Sequence, residues 1–289
     1  MIDLHSYSLC LGKMAVQSLI EEAELTPKPG LVDKKNSGSH TDMSLKTMIK
    51  SAKALEGTFI EIAKKSFNRS PSQELREEIA AIGRQGEREM FMATGGVNTH
   101  KGAIWALGLL VSSAAMYLGN CEIEDVAVQA GRLALFPDRK LPPIKTNGSS
   151  VKARFGVGGA KVEAEQGFPH VRLIGLPVLY DSRKKCKNEN LCRLNVLIAL
   201  MAELNDTCIL HRGGKEALEG TKERAKEILK AGGVSTIRGW QLLEQLDQSL
   251  CLRNVSPGGS ADLLAATIFM DYLDQHMKSK FKRNEALPI

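Results

Sequence analysis

The sequence predicts an all-α fold: a single multi-helix domain, residues 1–289, with glycine-rich ligand loops between its helices. Three observations carry that expectation. Aromatic residues make up only 5% of the chain, while Ala, Leu, Lys, Glu and Gly are plentiful, a balance that favours helix over sheet. Apolar residues recur at helical spacing in one segment after another. No segment alternates over a long stretch, and no Pro/Ser linker separates two halves.

Leu9, Met14, Val16, Leu19, Ile20 and Ala23 mark a first helix that ends before Thr26, where Pro27 and Pro29 stop it and Gly30 follows. Residues 37–42 read as a loop, and Asp42 or Ser44 caps a helix running to about Phe67. Ser70-Pro71-Ser72 is the next start, with Leu75, Ile79, Ile82, Gly86 and Met90 on one face. Residues 103–119 form an apolar run that is slightly short for a membrane span and contains Gly108, Ser112 and Ser113; it reads as a buried core helix. Residues 123–135 fit another helix. Residues 136–148 hold three prolines and read as irregular, and 151–167 as a polar, glycine-rich stretch anchored by Phe155, Val157 and Val162. Residues 171–180 suit a short strand or an extended connection. Helices are expected over 191–204, 215–230, 239–252 and 261–278.

Hydrophobic content of 43% and charge content of 25% are those of an ordinary soluble globular protein. The net charge of +6 is spread along the chain. Two short basic clusters, Arg183-Lys184-Lys185-Cys186-Lys187 and Lys278-Ser279-Lys280-Phe281-Lys282-Arg283, lack the alternating aromatic platform that nucleic acid binding needs, so no nucleic acid partner is expected. The six cysteines form no C-x-x-C pair and match no zinc template; their scatter suits a reducing cytoplasm. No signal peptide and no membrane anchor are expected.

Six segments combine glycine or proline with charge. Thr26-Pro27-Lys28-Pro29-Gly30-Leu31-Val32-Asp33 holds Lys28 on a rigid loop, with Asp33 suited to a metal or a sugar hydroxyl; a plain helix stop reads equally well. In Asn36-Ser37-Gly38-Ser39-His40-Thr41-Asp42, His40 and Asp42 suit a hydroxyl or a metal, or a capping aspartate beside a surface histidine. Ala93-Thr94-Gly95-Gly96-Val97-Asn98-Thr99-His100-Lys101-Gly102 brings backbone N–H groups and Lys101 to one bend before a buried helix, a favourable place for an anion. It lacks the spacing of a Walker A loop. Gly158-Gly159-Ala160-Lys161-Val162-Glu163 offers Glu163 as base or ligand, or as an acid at a helix start. In Asn205-Asp206-Thr207 followed by His211-Arg212-Gly213-Gly214, Arg212 suits a bidentate phosphate contact, or Gly213 is a helix cap. Asn254-Val255-Ser256-Pro257-Gly258-Gly259-Ser260-Ala261-Asp262 turns into the last helix, and Asp262 suits Mg²⁺ or the helix macrodipole. Carboxylates beside phosphate-binding groups suggest a Mg²⁺-nucleotide ligand and leave the reaction open.

These segments, in this order, resemble the triphosphoribosyl-dephospho-CoA synthases, the CitG family, over roughly residues 22–270. The likeness is closest in TPKPGLVD, ATGGVNTHKGAI and NVSPGGSADLL. The chain departs at Gly159-Ala160-Lys161-Val162-Glu163-Ala164, where the family reads close to GARGEA: Lys161 lacks arginine's planar fork and Val162 replaces a glycine. The resemblance implies transfer of the triphosphoribosyl group of ATP to the 2′-hydroxyl of 3′-dephospho-CoA with release of adenine. The product is the prosthetic-group precursor for the acyl carrier subunit of citrate lyase or malonate decarboxylase, passed on to a holo-acyl-carrier-protein transferase.

Matched to that chemistry, Asp33, His100 and Glu163 are candidates to take the hydroxyl proton, and His40 or Asn98 to donate to the adenine ring. Lys28, Lys101, Lys161 and Arg212, with Gly95, Gly96, Gly213, Gly214, Gly258 and Gly259, are expected to hold phosphates. Asp206 and Asp262 are expected as Mg²⁺ ligands. An oligomer is compatible with the sequence. Two other readings fit the same residues: a Mg²⁺-dependent helical N-glycosidase or phosphohydrolase, which needs no dephospho-CoA, and a non-catalytic nucleotide- or CoA-binding subunit, against which the many acids weigh.

Overall fold

A computed structural model describes residues 3–119, 121–141 and 146–285, with side chains described through residue 279. Its described residues form thirteen α-helices and one π-helical turn, with no strand. The helices are α1 (Leu4–Glu24), α2 (Leu45–Ala54), α3 (Glu56–Ser66), α4 (Gln73–Thr94), α5 (Lys101–Tyr117), α6 (Ile123–Ala134) and α7 (Asn147–Phe155). They continue with α8 (Gly159–Glu165), α9 (Leu176–Lys185), α10 (Glu189–Glu203), α11 (Thr207–Lys230), α12 (Ile237–Leu252) and α13 (Gly258–Glu285).

The centre is α5. It is buried on nearly every side, because α1, α3, α4, α6 and α13 all pack against it. Its two serines are compatible with that burial because each finds a partner. Ser112 pairs with Ser66 at 2.7 Å, and Ser113 donates to the Val126 carbonyl at 2.6 Å. A second group forms around α10, which packs on α9, α11 and α13. The last helix, α13, touches both groups, so its first turns lie where the two halves of the chain meet. No single helix among the described residues is long and apolar enough to cross a membrane.

Local chemistry explains most element ends. Asp3, Ser44, Ser72, Asn188, Asp206 and Thr236 each accept a backbone N–H at the start of a helix. Three expectations are corrected. The helix expected from Ser44 to about Phe67 is two helices, α2 and α3, divided at Leu55. The polar stretch 151–167 is largely helical, divided between α7 and α8; Gly156, in the left-handed region at φ 73°, ends α7. Residues 171–180, expected as strand or extended, form the π-helical turn Val171–Gly175 and the start of α9, where Pro177 occupies a first-turn position that needs no N–H donor. Residues 142–145, within the stretch expected to be irregular, lie outside the described residues, as do the side chains beyond 279 in the second basic cluster.

Candidate active site

Asp206 shows how the loops are tied together. It caps α11, and its side chain is buried. Oδ1 accepts from the backbone N–H groups of Cys208 (2.9 Å), Ile209 (3.4 Å) and Gly259 (3.3 Å). Oδ2 accepts from the Ser260 N–H (2.8 Å) and hydroxyl (3.0 Å). One carboxylate thus serves the N-termini of both α11 and α13. The anion-binding end expected at Gly258 and Gly259 already holds an anion, and it is the chain's own.

Asp262 does the corresponding thing at α5. It lies one turn into α13 and against the first turn of α5, so close that a Cβ on Gly102 would come within 2.0 Å of Oδ2. The Ala103 N–H stabilises its charged form. Burial, then Glu22, then Asp206 act more strongly in the other direction and raise its pKa well above the ordinary carboxylate value. Asp262, Lys101 and Gly102 are each half-buried, and the Asp262 carboxylate is strongly desolvated.

Lys28 joins this acid pair through Glu22, whose charge acts on Asp262. Its ammonium meets Glu22 at 2.5 Å with both side chains almost fully buried. Its backbone N–H donates to Asp33 Oδ2 at 3.0 Å. Asp33 Oδ1 takes the N–H groups of Lys35 (2.6 Å) and Asn36 (3.1 Å), so Asp33 folds the loop that presents Lys28. The charge of Lys28 reaches His100: burial first, and Lys28 second, push the imidazole pKa down to about 3. His100 Nδ1 lies 2.7 Å from Ser51 Oγ, which accepts from Thr99 Oγ1 at 2.6 Å.

A second knot joins His40 to Ser256 through Nε2 (2.8 Å) and to Arg212 through Nδ1 (3.2 Å). Burial and the Arg212 charge lower the His40 pKa, against a smaller opposing pull from Asp42. Arg212 also reaches the carbonyls of Ser39 and Asn254, each at 3.4 Å. The remaining segment joins through Ala160, whose carbonyl accepts from Trp105 Nε1 at 3.1 Å, and through Gly159, packed on Thr207. Glu163 there is claimed by His170, from the backbone N–H at 2.9 Å and Nδ1 at 2.6 Å; that carboxylate raises the His170 pKa.

All six segments therefore connect. The fold brings Lys28, His100, Asp206 and Asp262 into one electrostatic cluster, and His40 and Arg212 into the adjoining knot. Other expected residues lie further out. Lys101 pairs with Glu87 at 2.9 Å, and Lys161 with Glu165 at 3.6 Å. Gly95 caps α4 in the left-handed region, and Gly95, Gly96 and Asn98 are exposed. Gly214 breaks the helical path of α11 beside exposed Gly213. Among the described residues no group of three or more His, Cys, Asp or Glu side chains is placed to hold a metal ion. Two open hollows elsewhere, about 430 Å³ beside Phe136 and about 700 Å³ between Met14 and Tyr272, touch none of the cluster and hold no comparable set of buried charges.

Sequence reasoning missed Glu22, Ser51, Ser256 and His170. A signal existed for Glu22: Leu11, Ala15, Ser18 and Glu22 lie three or four residues apart on one helix face, and that face is buried. A carboxylate on such a face needs a cation, and Lys28 follows within two turns' length of chain.

Residues 9–281 match the family described as CitG, ATP:dephospho-CoA triphosphoribosyl transferase. Among curated proteins, the chain is 45% identical over 261 residues to the 2-(5″-triphosphoribosyl)-3′-dephosphocoenzyme-A synthase of Klebsiella pneumoniae, covering 90% of this chain and 93% of that one. It is 46% identical over 265 residues to a probable synthase of the same name from Pseudomonas syringae pv. syringae, with 91% of each chain covered. A probable synthase of Azotobacter vinelandii is 47% identical over 263 residues, 90% of each. No solved structure matches the chain.

Proposed function

The chain belongs to the CitG family of ATP:dephospho-CoA triphosphoribosyl transferases, and from that membership we propose how its buried cluster carries out the transfer. The reaction joins the ribose anomeric carbon of ATP to the 2′-oxygen of 3′-dephospho-CoA. The bond to adenine breaks with its electron pair going to adenine. The hydroxyl proton passes to a base, and adenine takes up one proton from solvent as it leaves. The base then returns its proton to solvent.

Asp262 is that base. The observation that carries the assignment is the state of the oxygens. Asp33 accepts three backbone N–H groups, both Glu163 oxygens face His170, and His40 and His100 each have a ring nitrogen engaged on either a guanidinium or a hydroxyl. Asp262 combines a half-buried position, a hydrogen bond from the Ala103 N–H and a strongly raised pKa, which brings its proton affinity toward the working pH.

Asp206 spends both oxygens on five donors, so it is not proposed as a Mg²⁺ ligand. Mg²⁺ enters as part of the substrate, bound to the triphosphate of ATP. Lys101, Lys161 and Arg212, each half-buried or exposed, are the cations proposed to exchange their present partners for the phosphates. The product is read as the precursor handed to a holo-acyl-carrier-protein transferase, in the cytoplasm.

The test is direct. With ATP, dephospho-CoA and Mg²⁺, free adenine and a triphosphoribosylated dephospho-CoA are expected in equal amounts by chromatography and mass spectrometry. Adenine formed equally fast without dephospho-CoA makes the protein an N-glycosidase. ADP or AMP without adenine overturns the transfer.

A further inference from the structure

His100 is 2% exposed, and its Nε2 meets no polar group among the described residues. Its other nitrogen is specified by two hydroxyls. Thr99 Oγ1 donates to Ser51 Oγ, and Ser51 Oγ lies against His100 Nδ1. A serine hydroxyl has one proton to give. Ser51, fully buried and already accepting from Thr99, gives that proton to Nδ1. If Nδ1 carried a proton instead, Ser51 would face two donors, and its own proton would find no acceptor among the described residues. The relay therefore runs Thr99 to Ser51 to Nδ1, and the imidazole carries its single proton on Nε2. A buried N–H without an acceptor is a costly arrangement, and such groups are expected to have a function elsewhere.

We propose that the Thr99–Ser51 relay holds His100 as the neutral Nε2–H tautomer, and that this N–H donates a hydrogen bond to a ring nitrogen of the adenine that departs from ATP. The proposal rests on the transfer reaction above but concerns the other end of the breaking bond. A neutral donor suits a neutral heterocycle. Burying a phosphate there would need a free cation, and the nearby Lys28 is already committed to Glu22. As the glycosidic bond breaks, its electron pair spreads into the adenine ring, and a hydrogen bond to a ring nitrogen strengthens in the transition state. His100 keeps its proton throughout. Thr99 and Ser51 are positioning residues that act through it.

Nitrogen-15 NMR of protein labelled in its histidine rings tests the relay without any turnover. The His100 signals are identified by their loss in His100→Gln. At pH 7 the expected pattern is a pyridine-type Nδ1 and a pyrrole-type Nε2. The reverse tautomer, or an imidazolium, overturns the proposal. Thr99→Val and Ser51→Ala should relax the preference, and Thr99→Ser should keep it; Thr99 is only partly buried, so its variants serve if Ser51→Ala does not fold. Adding ATP or adenine should move the Nε2–H signal, and no movement with either ligand overturns the adenine contact. In turnover, the 3-deaza or the 7-deaza analogue of ATP should slow the wild type by roughly 10²-fold and have no further effect in His100→Ala. Equal slowing of both proteins by both analogues removes His100 from the leaving group. Absence of any adenine release from ATP would instead count against the transfer reaction, and the NMR tautomer would still decide the relay.

Discussion

At position 102 a side chain as small as methyl is too large, because Asp262 Oδ2 occupies its place. Gly102→Ala improves helix propensity by about 1 kcal/mol, yet it must push the proposed base off the α5 N-terminus. The expected outcome is a folded protein whose adenine release is at least roughly 10²-fold slower; normal turnover would show that Asp262 is not the base. The carboxylate itself gives a second prediction. Glu22 from α1, Asp206 at the start of α11 and the Ala103 N–H of α5 act on it, with Lys28 acting through Glu22. Because the folded pKa lies above the unfolded one, the fold binds more protons than the unfolded chain between the two values. Asp262 therefore lowers stability as pH rises through that window, and the full cost is present above the folded pKa. Asp262→Asn should raise the urea midpoint at pH 8 but not at pH 3, while abolishing transfer. In the wild type, kcat/KM should fall as pH drops through the raised pKa. A variant that is less stable at pH 8 would contradict the repulsion on which the base assignment depends.

At the scale of elements, Asp206 holds the starts of α11 and α13 together and leaves no oxygen over. Asp206→Ala strands the buried donors of Ile209 and Ser260 and the half-buried ones of Cys208 and Gly259. We expect a loss of roughly 2–4 kcal/mol in urea unfolding at unchanged m value, given about 1–3 kcal/mol for each unsatisfied buried group and partial relaxation. The same junction shows what the sequence could and could not convey. The helices α1, α4 and α6 were legible because one apolar face repeats, and α5 because its apolar run is nearly unbroken. The short helix α7 was not, since glycine beside polar residues looks like loop composition, while α8 was legible only as the alternative helix start at Gly158. The break at Leu55 carried no proline and no capping side chain to mark it, and Gly57 just beyond it sits inside α3. In the site, Lys28, His100 and Asp262 were visible as residue types held in unusual loops. The backbone N–H groups beside them looked free for phosphate because the aspartates that cap them lie far away in sequence: Asp206 for Gly259, Asp262 for the α5 start. Glu22 was hidden inside an ordinary helix.

At the scale of the whole molecule, the cluster lies where the α5 group of helices meets the α10 group through α13, and its buried charges are an energetic burden that the fold carries. Lys28 and Glu22 are nearly inaccessible to water. Removing one partner leaves an uncompensated buried charge, so Lys28→Met and Glu22→Leu should each cost about 3–5 kcal/mol. Replacing both should recover most of that loss, because a buried ion pair seldom outweighs a well-packed apolar pair of similar volume. The two changes also act on the site in opposite senses. Removing Glu22 takes away a negative charge that raises the Asp262 pKa, and removing Lys28 takes away a positive charge that lowers the His100 pKa. The double variant should therefore be close to wild type in stability, with the acid limb of its kcat/KM profile displaced to lower pH because Asp262 loses Glu22. Chemical unfolding and a pH series of adenine release, run on the wild type, both single variants and the double variant, measure the two effects separately. Recovery of stability with an unmoved pH profile would show that the pair is structural and does not tune the base.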